Sequence, residues 1–593
     1  MTLAPIDWIF VIGFFVVSLA IGIWVAKRTG KNTGEFFLSG RNMPWWLLGI
    51  SMVATTFSAD TPNLVTDIVR QNGISGNWVW WAFLLTGMLT VFVYARLWRR
   101  AGFLTDLEFY ELRYSGKEAA FLRGFRAIYL GVFFNVMIMA SVSIAAIKIG
   151  GVMLGLKPYE TMLYASVITV VYSSIGGFRG VLITDFIQFF MAMVGAVWAA
   201  NIALDLPQIN GLDNLLSHDA VAGKLDFIPD FSNTELLIPL FIMPLAVQWW
   251  SVWYPGAEPG GGGYVAQRML AAKNEKHAMG ATLFFNIAHY ALRPWPWIIV
   301  ALCSLVVYPD IASLKAAFPG IDPAVVKDDL AYPAMLTFLP SGVLGLVIAS
   351  LAAAFMSTIS THLNWGSSYV VNDFYKRFID PDAPEKTLVW IGRISTVLLM
   401  SMAALFALAL ENALQAFNIL LSIGAGTGLI FILRWYWWRI NAYSELSAMI
   451  ISFIVSIYFQ LIHEKLGFMS IPDHYQLLLS VGITTLLWLL ITFITPQTDQ
   501  KTLVDFYRKV HPGGNGWRHV LSQLDPNDPI HKKSHSGIGP KIIMIFLGCT
   551  VVYGCLFGSG FVLYGNWVSA VITLIITLLA GGYLYKLWLS QKS

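Results

Sequence analysis

The strongest constraint on this chain is the recurrence of apolar stretches long enough to cross a lipid bilayer. A hydrocarbon core of about 30 Å requires about 20 apolar residues per helix, and about fifteen such stretches follow one another here. They run approximately over 7–25, 44–69, 78–98, 124–153, 159–175, 181–204, 236–254 and 278–307, then 342–372, 388–410, 416–438, 444–462, 476–495, 542–563 and 568–588. Of the 593 residues, 57% are hydrophobic and only 12% charged, so water could not solvate the surface of a globule built from them. The fold class predicted is an all-α polytopic membrane protein, because lipid admits only helices and closed barrels.

The first stretch lacks a basic leader, begins with Asp7 and meets no small-residue cleavage site, so it is expected to remain in the mature chain. Most of the 38 Lys and Arg fall in alternate connections or at the stretch ends beside them; only three, Lys148, Arg293 and Arg393, lie five or more residues inside a stretch. Cytoplasmic connections are enriched in basic residues. The pattern therefore predicts a plasma membrane protein (inner membrane in a bacterium) with its amino terminus outside and its carboxyl terminus in the cytoplasm. The connections 207–235 and 308–332 then face outside, and the polar segment 496–540 inside.

Several functional classes drop out. A net charge of +4 without a basic stripe gives no footprint for nucleic acid. Cys303, Cys549 and Cys555 sit in apolar stretches without metal-ligand spacing. Neither a zinc-type His/Glu pattern nor a serine elbow is present, so an enzyme is not expected. A transporter-like sensor would need a soluble output domain, and 496–540 is short for one; a tether between additional helices is the preferred reading. The expected surroundings are the bilayer, and no obligatory protein partner is implied.

Two stretches are interrupted. The second carries Asp60 and Pro62 near its middle, and the seventh reads Gln248-Trp-Trp-Ser-Val-Trp-Tyr-Pro-Gly-Ala-Glu-Pro-Gly-Gly-Gly-Gly-Tyr264. Neither can continue as a regular helix. Irregular backbone at membrane depth survives only where it is buried in protein or lines a polar cavity. With the first stretch set aside, the two interruptions head successive sets of five helices that start on opposite sides of the membrane. That is the signature of inverted-repeat secondary transporters, whose solute and ion sites lie between discontinuous helices; a pair of simple proline kinks is the alternative.

The ninth stretch places Ala354, Ser357, Thr358 and Thr361 at i, i+3, i+4 and i+7, on one helical face. Such hydroxyls, with carbonyls of Ala54 and Phe57 from the interrupted second stretch, could replace water around Na⁺. Alternatively they bond their own i−4 carbonyls and permit close packing. Asp185, an intramembrane carboxylate, favours a functional reading. With Ser360 and Thr361 it could form a second cation site.

These residues carry a resemblance. Phe36-Phe-Leu-Ser-Gly-Arg41, Gly176-Gly-Phe-Arg-Gly-Val-Leu-Ile-Thr-Asp185, Gln267-Arg-Met-Leu-Ala-Ala-Lys273 and Ala352 to Asn364, followed by Asn372-Asp-Phe-Tyr375, together resemble the sodium/solute symporter family. The resemblance implies a leucine-transporter-like five-plus-five inverted repeat. Residues 1–43 would be an extra helix and linker, 44–441 the transport core, and 442–593 additional helices around the 496–540 loop. It also implies Na⁺ as coupling ion, held by Ala54, Phe57, Ala354, Ser357 and Thr358. A second Na⁺, where members bind one, would fall on Asp185, Ser360 and Thr361.

The solute positions depart from the sugar-transporting pattern. Where those relatives carry a glutamine, a glutamate and a lysine, this chain has Thr61, a tryptophan such as Trp80, and Arg293. The family's asparagine in the second broken helix is replaced by the stretch beginning at Trp249. Asp60, Glu258 and Arg293, with His289 one turn before the arginine, are the ionisable groups available to a cavity. Arg293 could fork onto a carboxylate or be neutralised by Asp60 or Glu258, leaving a site for a polyol. Trp80 and Trp249 offer flat faces suited to sugar rings, Gln415 is a polar gate candidate, and Lys148 is expected to snorkel outward. The reading is a sodium-coupled importer of a small polar solute, with a sugar or polyol preferred over an amino acid or carboxylate.

Overall fold

The computed structural model describes residues 3–29, 33–56, 58–252, 258–321, 323, 326–409, 424–528 and 538–590. Among the described residues the chain is helical, and the sole β-type contact is a bridge between Met43 and Ala272. Among the described residues, eleven helices are long and apolar enough to cross a membrane, which makes this a multi-pass membrane protein. The expected stretches beyond those eleven correspond to three shorter apolar helices and to one limb of a bent one.

In chain order the elements used below are α1 (Pro5–Thr29), α2 (Trp45–Thr56), α3 (Thr61–Asn72), α4 (Ile74–Ala101), α5 (Gly116–Leu154) and α6 (Pro158–Leu204). There follow α7 (Thr234–Ala246), α8 (Gly263–Ala271), α9 (Glu275–Val307), α10 (Val343–Ile379) and α11 (Glu385–Ala409). The last are α12 (Gly424–Leu433), α13 (Ala442–Gln460), α14 (Asp473–Ile494), α15 (Gln500–Val510), α16 (Gly539–Leu563) and α17 (Trp567–Ser590).

Both expected interruptions are present. Between α2 and α3 the ladder breaks over Ser58 to Asp60 and restarts with Pro62 in the first turn, where its missing N–H costs nothing. Between α7 and α8 a short 3₁₀ turn at Gln248–Trp250 precedes the glycine run. Gly260 and Gly261 adopt φ of +89° and +90°, and a Cβ on Gly260 would meet the Tyr94 ring at 2.9 Å, so only glycine fits there. The α8 amino terminus is closed by Asp106, whose carboxylate accepts from Gly263 N at 2.8 Å and from the Tyr369 hydroxyl of α10.

The expected connection between the fifth and sixth stretches is instead a bend inside the 47-residue α6, made at Gly177 with φ +55°. Asp7 in α1 is fully buried and caps α10, accepting from Gly342 N at 2.6 Å and Gly345 N at 2.8 Å. The first helix is thus joined to the core.

The segment after α14 is more than a tether. α15 is amphipathic and buries Phe506, Tyr507 and Val510. Phe506 packs on Phe109 and Trp435, and the Trp517 indole donates to the Trp435 carbonyl at 2.9 Å. Arg100 donates to Val510 O at 3.0 Å, and the Arg113 guanidinium sits 5.0 Å from the Trp517 ring centre. Removing a buried indole costs about 3–5 kcal/mol. Trp517→Ala is therefore expected to release the segment, read as faster limited proteolysis within 496–528; cleavage at the wild-type rate would contradict the docking.

Candidate functional site

A cavity of about 180 Å³ lies beside the first helix break. Asp60, Thr61, Trp80, His289 and Arg293, all expected as solute contacts, line it together. Their convergence has local causes. Pro294 and Pro296 begin the second limb of α9, and the turn before them, Ala288–Leu292, widens to π-type spacing. Across that turn Arg293 Nε donates to His289 O at 3.2 Å, and Nη2 lies 3.3 Å from His289 Nε2. The Trp80 ring stacks on Tyr290 at 5.8 Å and meets the His289 ring edge-on at 5.7 Å. One wall is therefore aromatic and cationic, and the opposite wall, from the restart of α3, carries carboxylate and hydroxyl oxygen.

The sequence reading missed several lining groups: Thr56, Asn63, Asp67, Lys148, Tyr290 and Asp329. Lys148 does not snorkel outward. Its ammonium pairs with Asp329 at 2.6 Å, across from the connection between α9 and α10. Only its burial among apolar neighbours hinted at this, since its partner lies 181 positions away.

The oxygen-rich face of α10 meets α2 and α6. Thr358 Oγ1 donates to Thr55 O at 2.8 Å, so the end of α2 and α10 touch at the level of Ala54 and Ala354, both 1% exposed. Ser357, expected beside them, donates instead to Asp185 Oδ1 at 2.7 Å, and Ser51 donates to the other oxygen. Asp185 therefore gathers Ser51 and Ser357 rather than Ser360, which turns back to Ser357 O at 3.1 Å. A fully buried carboxylate draws in the nearest hydroxyl donors.

A residue the sequence reading passed over completes this cluster. Arg268 of α8 is fully buried and donates to Ser51, Thr55 and Thr361 at 3.0, 3.1 and 2.8 Å. Its Nη2 stands 3.7 Å from Asp185 Oδ2. A guanidinium thus shares Thr361 and Asp185, two of the three oxygens expected to gather a second sodium ion. The motif Gln267-Arg-Met-Leu-Ala-Ala-Lys273 contained the signal: an arginine followed by four apolar residues.

Other expectations land elsewhere. Glu258 is not in the cavity. It is 4% exposed and clamped between Arg126 and Arg434, the latter at 2.9 Å. Arg434 also reaches Glu445 at 3.3 Å and the Tyr110 hydroxyl at 2.8 Å. Two arginines that counted as connection charges need that carboxylate more than a solute site does. Trp249 contributes its carbonyl to the Thr86 hydroxyl and does not line the cavity. Phe57 and Gln415 lie outside the described residues.

Two discontinuous helices, a polar cavity at one break and a hydroxyl-lined contact at its edge are the anatomy of a coupled transporter. The profile of the sodium:solute symporter family matches residues 36–452. The chain belongs to that family. It is 26% identical over 478 residues to a sodium/glucose cotransporter of Vibrio parahaemolyticus, covering 77% of this chain and 85% of that one. It is 25% identical over 492 residues to a sodium/myo-inositol cotransporter 2 of Mus musculus, covering 77% and 70%. A solved structure of a Na⁺-coupled sialic acid symporter in a substrate-bound outward-open state superposes with TM-score 0.64 at 18% identity, covering 84% of this chain and 99% of that one. The symporter therefore has the leucine-transporter-like fold, couples solute movement to Na⁺ and is not an enzyme.

Breaking a buried ion pair from one side leaves an uncompensated charge and costs about 3–5 kcal/mol. Arg268→Met is expected to lower the thermal unfolding midpoint of the symporter in detergent. Adding Asp185→Leu should restore part of the loss, since the orphaned carboxylate is then gone. A double-variant loss equal to the sum of the Arg268→Met and Asp185→Leu losses would mean that the pair is not coupled.

Proposed function

We propose that the symporter uses an inward sodium gradient to import a sugar or polyol across the plasma membrane, with its amino terminus outside and its carboxyl terminus in the cytoplasm. The observation that carries this reading is that one helix break adjoins both the cavity and the hydroxyl-bearing face of α10. Asp60 and Thr61 stand in the cavity wall, while the turn before them ends at Thr55, whose carbonyl already accepts from Thr358 of α10. In this reading Na⁺ binds between the carbonyls of Ala54, Phe57 and Ala354 and the hydroxyls of Ser357 and Thr358. A cation there ties α2 to α10 and fixes the break, so the solute meets an ordered wall. By linkage, the solute then raises sodium affinity by the same factor.

The neutral oxygens of Thr358 and the backbone suit a small hard cation, and the aromatic wall of Trp80 and Tyr290 suits the C–H face of a sugar ring. The division into an extra amino-terminal helix, a core over 44–441 and additional helices over 442–593 accompanies this proposal. One observation favours a second reading, a carboxylate or amino acid as solute: Arg293 in the cavity has the planar fork that binds carboxylates.

Uptake into proteoliposomes, with radiolabelled sugars, polyols, amino acids and carboxylates offered with and without a sodium gradient, separates the two. Thr358→Ala is expected to raise the sodium concentration for half-maximal uptake about tenfold, the loss of roughly one good ligand interaction. Full sodium dependence at the wild-type concentration would remove Thr358 from the ion site.

A further inference from the structure

Several side chains of the cavity have polar atoms that the protein itself leaves unanswered, Ser58, Ser141 and Asp329 among them, and two others are an amide and an imidazole. Asn63 lies on α3, three residues after Asp60 and four before Asp67, and so shares their cavity-facing stripe. It is 3% exposed, and neither its Oδ1 nor its Nδ2 meets a hydrogen-bonding partner. Burying an amide in that condition is costly. The second is His289, 4% exposed. Arg293 Nη2 lies 3.3 Å from its Nε2. A guanidinium only donates, so Nε2 accepts and the neutral ring carries its proton on Nδ1. That Nδ1–H is buried and has no acceptor.

Asn63 and His289 together offer one acceptor, Asn63 Oδ1, beside three N–H donors, two on Asn63 and one on His289. The set discriminates between solute chemistries. A carboxylate would answer the donors and leave Asn63 Oδ1 bare, while an ammonium would answer that oxygen and leave the donors bare. A hydroxyl both donates and accepts. The side-by-side C=O and NH₂ of an amide match two hydroxyls on neighbouring carbons. We infer that Asn63 and His289 read adjacent hydroxyl groups of the solute, with Asn63 as the residue that sets the preference for a polyhydroxylated molecule over a simple carboxylate or amine. This rests on the sugar-or-polyol reading and identifies which groups of that solute are recognised.

The test uses the purified full-length protein in proteoliposomes under a sodium gradient. The probes are radiolabelled D-glucose and myo-inositol, mono-deoxy analogues of each, and L-proline as the zwitterionic amino-acid comparison. Asn63→Leu keeps the side chain's shape and removes its polarity. It is expected to raise KM for the transported polyol about tenfold or more. It should leave KM unchanged for the analogue that lacks the hydroxyl Asn63 reads, and His289→Phe should single out another hydroxyl. Melting without solute supplies a readout that a structural role would move the other way. Relieved of an unmatched buried amide, Asn63→Leu should melt at or above the wild-type temperature. Asn63→Ala serves the same comparisons if leucine does not fit.

A wild-type KM in these variants, or an equal loss for every analogue together with a lower melting temperature, would overturn the inference while the sugar-or-polyol reading stands. Accumulation of L-proline and of neither polyol by the wild-type protein would overturn both.

Discussion

No water completes a broken backbone ladder inside hydrocarbon, and the architecture of this symporter follows from the two places where the ladder breaks. Each break is closed by groups from elsewhere in the chain. The Trp98 indole serves Gly260 O at 2.8 Å, Asp106 serves Gly263 N, and the Thr358 hydroxyl serves Thr55 O. The irregular backbone is therefore held by α4, by the turn before Glu108 and by α10, and its geometry changes only if they move with it. Solute and ion bind where the helix is interrupted because those are the positions at membrane depth with polar groups to share.

Fixed positive charge is the second organising element. Arg70, Arg113, Arg126, Arg268, Arg293 and Arg434 are all 5% exposed or less. Each is met by carboxylates, carbonyls, hydroxyls or ring faces. Arg70, for example, binds Asp328 together with the Ser304 and Tyr308 carbonyls. Guanidinium groups tolerate such burial because they are weakly hydrated and present five donors in a fixed plane.

The membrane class, the two broken helices and the cavity residues Asp60, Thr61, Trp80, His289 and Arg293 were legible in the sequence, because hydropathy, proline and glycine act locally. The other buried arginines were not. A tally that uses Lys and Arg as markers of the aqueous face cannot separate Arg268, whose partners Ser51 and Thr361 lie 217 and 93 positions away, from a solvated loop arginine. Lys148 was misplaced for the same reason, and Glu258 looked like a cavity acid because its two arginines come from distant helices. Asn63 passed unnoticed because an asparagine directly after a proline reads as part of a helix start. What singles it out is a missing hydrogen bond, which only coordinates reveal.

The clamp around Glu258 bears on how this protein can change over evolutionary time. Its carboxylate bridges Arg126 and Arg434, and Glu445 supplies the second negative charge to Arg434, which also donates to the Tyr110 hydroxyl. A substitution at any one of these positions strands a charge in a medium that does not forgive it. The positions are coupled as a set, so a descendant could exchange the network for apolar packing only through several simultaneous changes. This end of the molecule is a frozen block, whereas a cavity position outside any ion pair, such as Asn63, is free to drift by itself.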